Sequence, residues 1–94
     1  MTNIKEIEFG IQNIVHHTSS FAEDYMTYCT EEHKPSSKYN HKLADAAFRF
    51  AYKSAKDAIY VCEALGLDPA IVCRDQVWFM EKHENKAAAL RKGK

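Results

Sequence analysis

From Ala44 to Cys62 a small residue returns at every third or fourth position: Ala44, Ala47, Ala51, Ala55, Ala58 and Cys62. An α-helix is the structure that stacks residues at this spacing on one face. A face of small side chains lets a second helix come close. Large residues flank it, with Leu43, Phe50 and Val61 on one side and Phe48 and Ile59 on the other, placed to wrap that neighbour. The stripe predicts a central helix over about residues 38–65 in a fold of helix packed on helix.

The end of that helix is written in the next four residues, Gly66-Leu67-Asp68-Pro69. Glycine suits the left-handed position that closes a helix, and Leu67 supplies the apolar contact that goes with it. Asp68 caps a following helix and Pro69 fits its first turn. So short a turn predicts two helices packed against each other. The third helix runs from Pro69 to about residue 90. Its expected inward face is Ala70, Cys73, Val77 and Met80, with Val72, Phe79 and His83 beside it. Past His83 the apolar pattern thins, and the basic end from about residue 86 reads as a tail that frays.

Upstream, Ile4, Ile7, Ile11, Ile14, Thr18, Phe21, Tyr25 and Tyr28 alternate by three and four, a heptad seam broken only by Thr18. Asn3 with Glu6 has the spacing of a capping box. Gly10 and Thr18-Ser19-Ser20 weaken the helix, yet the seam keeps its phase through them. One long, bent helix over 3–32 is expected, and a break near Ser19-Ser20 would give four helices instead of three. Pro35 disfavours helical geometry at Lys34, so 33–37 is a loop whose serines, Ser36 and Ser37, are placed to cap the second helix.

Composition agrees. Three glycines and two prolines in 94 residues are too few for the tight turns of an all-β chain. The length makes one domain, and 46% hydrophobic residues are enough to fold it. The expectation is an all-α, antiparallel three-helix bundle. The apolar surface exceeds what one thin bundle covers, which points to a homodimer or higher oligomer. Cys29, Cys62 and Cys73 are odd in number and contain no CxxC pair, as in a reducing compartment. The first ten residues lack the basic start and apolar run of a signal peptide, and no apolar run approaches a membrane span. A cytoplasmic location is expected. Charge sums to zero but is uneven: residues 1–34 hold two basic and six acidic residues, and residues 82–94 hold five basic and one acidic.

The chemistry-bearing residues offer little. His16, His17, His33, His41 and His83 form neither Glu-x-x-His nor His-Glu-x-x-His, and His41 with Asp45 reads as surface. Glu23-Asp24 and Glu31-Glu32 are adjacent pairs that diverge by about 100° on a helix, so neither converges on a substrate, and both read as solvated. Nucleophile elbows and glycine-rich phosphate loops are missing. The chain reads as no enzyme, with no metal and no cofactor.

Two surfaces stand out. Lys42, Arg49, Lys53 and Lys56 share one face of the second helix with Tyr60, a pattern suited to phosphate contact and base stacking. Asp45 and Asp57, each four residues from a cation (Arg49 and Lys53), read as neutralising partners. On the third helix Trp78 lies off the inward stripe with Ile71 seven residues before it, and Arg74 and Lys82 stand four residues to either side. Either Trp78 packs beneath these cations or in the core, or Ile71 and Trp78 form a second apolar stripe for a partner. The function expected is that of a small regulatory interaction protein, an inhibitor, adaptor or accessory factor of phage or bacterial type. The alternative is a nucleic-acid or nucleotide binder using the basic face and the tail.

Overall fold

The computed structural model describes residues 4–92, with side chains through residue 90. The described chain is all-α: α1 spans Ile4–Glu32, α2 His41–Ala64, α3 Pro69–Val72 and α4 Arg74–Lys92. Asn3, expected to cap α1, lies outside the described residues. None of the described helices is long and apolar enough to cross a membrane.

α1 and α2 form an antiparallel hairpin. The whole alanine stripe, with Cys62, is buried. α1 is continuous through Thr18-Ser19-Ser20, and the Thr18 hydroxyl donates to the Val15 carbonyl. Its buried residues are Gly10, Ile14, Phe21 and Glu31, and Tyr25 and Tyr28 pack against the core, so the heptad seam faces inward from Ile14 onward while Ile4, Ile7 and Ile11 at its start stay exposed. Gly10 lets the start of α1 approach the end of α2. A Cβ there would lie 2.6 Å from Leu65 Cδ1, so α1 turns its one glycine to α2 and lets Leu65 in. The shoulders of α2 divide as well: Phe48 is buried, whereas Leu43 and Phe50 are exposed.

α2 starts at His41, later than expected, because Asn40 and not a serine is its cap. The Asn40 side chain accepts from the Leu43 N–H at 3.0 Å. The far end matches the sequence reading. Gly66 has φ +74°, Leu67 N–H donates to Cys62 O, and Gly66 N–H donates to Glu63 O, which is a complete Schellman closure. Asp68 Oδ1 then accepts from Ala70 N–H, with Pro69 in the first turn.

The third helix is not one piece. Cys73 leaves helical geometry (φ −120°, ψ 45°), which separates the four-residue α3 from α4. The expected inward face loses its phase at this break: Ala70 and Val72 are not buried, while Cys73, Gln76 and Phe79 are. Phe79 is the hub. It lies edge-on to Phe21 (5.1 Å between centroids) and Tyr25 (5.2 Å), and tilted against Phe48 (5.3 Å). α4 bends again at His83 (φ −111°, ψ 16°), whose ring lies against Phe79, Phe48 and Tyr28. The bend brings Ala87 and Leu90 onto this same aromatic cluster. A second, smaller cluster of Ile14, Ala58, Cys62 and Cys73 closes the other end.

Candidate interaction surface

α1 lies along α2 from Gly10 onward. α3 and α4 meet α1 more sparsely, through the aromatic hub, through the cluster of Ile14 and Cys73, and through Lys86, whose Nζ donates to the Tyr28 hydroxyl at 3.3 Å and pairs with Glu32 at 3.8 Å. Between α1 and these two helices an open groove of about 770 Å³ remains. Phe21, Ala22, Tyr25 and Met26 form its α1 wall. Ile71, Val72 and Trp78 form the other wall, with Arg74, Asp75 and Gln76 among them.

Most of this apolar lining is open to water. Met26 is 70% exposed, Ile71 77% and Trp78 46%. One edge of the Trp78 ring meets Tyr25 at 6.4 Å, and Lys82 Nζ sits 4.6 Å above its centroid. The structure therefore gathers Ile71, Arg74 and Trp78 on one groove wall, with Lys82 covering the indole. His83, edge-on to Trp78, is held below the usual histidine range by burial first and by the neighbouring Lys82 and Lys86 second.

The α1 wall takes Phe21 and Tyr25 from the heptad seam and adds Ala22 and Met26 beside them. Ile4, Ile11, Val15, Ala22 and Met26 recur in steps of seven, four, seven and four, so they form one line along α1, and all are exposed. Its later members line the groove, so the line runs from the start of α1 into it. The spacing of this line is visible in the sequence beside that of the seam. The seam packs inward from Ile14 onward, and the line stays outside it.

The basic face of α2 is arranged differently. Lys42, Arg49, Lys53, Lys56 and Tyr60 are all exposed. Lys53 pairs with Asp57 at 3.2 Å, as the spacing indicated, and Arg49 donates across to the Leu90 carbonyl at 3.5 Å. Arg49, Lys53 and Lys56 rim a small cleft of about 230 Å³ floored by Phe48, Tyr52, Ala87 and Leu90. The tail of α4 thus packs beside the basic residues. The side chains of Arg91 and Lys92, and residues 93–94, lie outside the described residues.

Glu31 corrects the reading of the carboxylate pairs. It is 2% exposed, accepting from Lys34 Nζ at 2.8 Å and from the Asn40 N–H at 2.6 Å. Lys34 first and Asn40 second hold its carboxyl below the usual range, against the opposing effect of burial. Its neighbour Glu32 is exposed and accepts from the Tyr39 hydroxyl at 2.9 Å. Glu31 therefore secures the loop between α1 and α2. Among the described residues no three His, Cys, Asp or Glu side chains gather where they could hold a metal ion. No protein-family model matches the chain, and comparison with curated proteins and with solved structures finds no significant match.

Proposed function

We propose that this chain is a small cytoplasmic interaction protein that acts by burying the α1–α4 groove against another macromolecule, as an inhibitor, adaptor or accessory factor does. The observation that carries the reading is exposed apolar surface on both walls of the groove: Ala22 and Met26 of α1, continued toward its start by Val15, Ile11 and Ile4 with Glu8 and Thr18 among them, and Ile71 and Trp78 across the groove. Large exposed apolar faces mark binding sites, and tryptophan rimmed by cations is a frequent anchor. The molecule also has surface to spare. It exposes 6845 Å², where a compact chain of its 10.8 kDa exposes about 5500 Å².

A photo-crosslinking residue at Met26 or Ile71, compared with one at Tyr60, tests the proposal in the native host. Adducts from the groove positions only, lost in Trp78→Ala, support it. Equal adducts from both faces, or none, contradict it. A second reading, nucleic-acid binding, draws support from Tyr60, which is 72% exposed on the helix face that carries Lys53 and Lys56. It predicts retention of single-stranded nucleic acid that weakens steeply with salt and with Tyr60→Ala.

A further inference from the structure

We propose that Cys62 and Cys73 form an oxidisable pair: a hydroperoxide converts their two thiols to an intramolecular disulfide that ties the end of α2 to the joint between α3 and α4.

The two Sγ atoms lie 2.9 Å apart, in hydrogen-bond contact, and both residues are 0% exposed. A disulfide has an S–S separation of about 2.05 Å, so the sulfurs have only about 0.9 Å to close. Cys29 is no rival partner. It stands fifteen residues beyond Ile14, the α1 residue that packs against the pair. At about 1.5 Å per residue that is roughly 22 Å along the helix. The fold therefore selects one of the three pairings that three cysteines allow.

Position gives the bond a purpose. The Cys62 carbonyl accepts from the N–H groups of Leu65 and Leu67, at the closure of α2. Cys73 is the joint itself, at φ −120° and ψ 45°, and its N–H donates to Pro69 O at 2.8 Å. The pair thus brackets the whole Gly66-to-Pro69 turn. Because Cys73 already lies outside helical geometry, it can take up the small shift without unwinding a helix. Ile71, Val72 and Arg74 flank Cys73 and line the groove, so the bond also fixes that wall to α2.

Packing alone does not ask for sulfur here. Ala44, Ala47, Ala51, Ala55 and Ala58 fill the rest of the stripe and are as deeply buried as Cys62. Two thiols facing each other at its end add a chemistry that alanine lacks.

The reaction takes two steps. One thiol gives up its proton and its sulfur attacks the peroxide: an S–O bond forms, the O–O bond breaks, and the departing oxygen takes that proton, leaving as water when the oxidant is hydrogen peroxide. The second thiol then attacks the resulting sulfenic acid. The S–S bond forms, the S–O bond breaks, and the oxygen leaves as water with the second proton. Two electrons have passed from the thiols to the peroxide, and a thiol reductant returns them by exchange. Burial first, and Cys62 second, push the Cys73 thiol up to about 12, so the pair reacts during brief openings of the joint. A small, uncharged peroxide suits such an opening.

The test is to titrate the reduced chain with hydrogen peroxide, then follow tryptic peptide masses and thermal unfolding. Trypsin cuts after Lys56 and Arg74, so one peptide, residues 57–74, holds both cysteines. It should become lighter by two hydrogens, and dithiothreitol should reverse the change. The unfolding midpoint of the oxidised chain should rise by roughly 10 °C over that of the reduced chain. Cys29→Ser should keep both effects and Cys73→Ser should lose both. Cys62→Ala, which extends the residue type of the stripe and so preserves the fold, should lose both as well. A 57–74 peptide that stays reduced while Cys29 oxidises overturns the proposal. So does a bond from Cys29 to either partner, or an oxidised chain that melts no higher than the reduced one.

Discussion

The Glu31 carboxylate accepts a 2.6 Å hydrogen bond from the backbone N–H of Asn40, the residue that caps α2. One side chain at the end of α1 thus orders the start of α2, with Lys34 completing the arrangement at 2.8 Å. Its carboxyl titrates below the usual range, so its contribution is in place at neutral pH and is lost as pH falls through the folded-state value. Glu31→Gln should melt below the parent at pH 7. The gap between them should close as pH drops through the acid range. A gap independent of pH would show that the charge of Glu31 is immaterial.

Gly66, at φ +74°, supplies the left-handed closure of α2. Space is not the constraint there, since a Cβ would meet nothing within 4 Å. The cost of a substitution is conformational. Gly66→Val should destabilise by about 1–2 kcal/mol in denaturant unfolding.

Ala51 and Ala55 are completely buried between the helices. Ala51→Leu or Ala55→Leu should overpack that contact and cost roughly 1–3 kcal/mol, read from the unfolding midpoint at unchanged slope. Neutral outcomes for both would mean that α1 can stand away from α2.

Cys62 and Cys73 are buried with their Sγ atoms 2.9 Å apart, and Cys29 is partly exposed. Burial first, and the Cys62 thiol second, push the Cys73 thiol up to about 12. Iodoacetamide at neutral pH should therefore modify Cys29 in the native chain and all three thiols in denaturant. Rapid native labelling of Cys73, located by peptide mass mapping, would show that the joint between α3 and α4 opens readily.

The features legible in the sequence are local. The small stripe of α2 and the Gly66-to-Pro69 junction depend on spacing and cap chemistry within a few residues, and the structure reproduces both. The features hidden in it depend on distant partners. The close approach of α1 to the end of α2 comes from Gly10 admitting Leu65. The burial of Glu31 comes from a loop folding over it. The bend at His83 answers to the cluster around Phe79, and the break at Cys73 lies in the smaller cluster with Ile14, Ala58 and Cys62. Periodicity alone puts Ile71, Arg74, Trp78 and Lys82 near one another, but that Phe21, Ala22, Tyr25 and Met26 of α1 form the opposite wall emerges only from the tertiary packing.

Trp78 is the only tryptophan in the chain and stands on the groove wall, so its own emission reports whether that wall is covered. The decisive measurement is acrylamide quenching of Trp78 before and after addition of the partner that a crosslinking residue at Met26 captures. If the groove is the interface, quenching weakens and emission shifts to the blue in the complex, and Ile71→Asp abolishes both changes. A complex in which Trp78 is quenched as strongly as in the free chain would contradict the account.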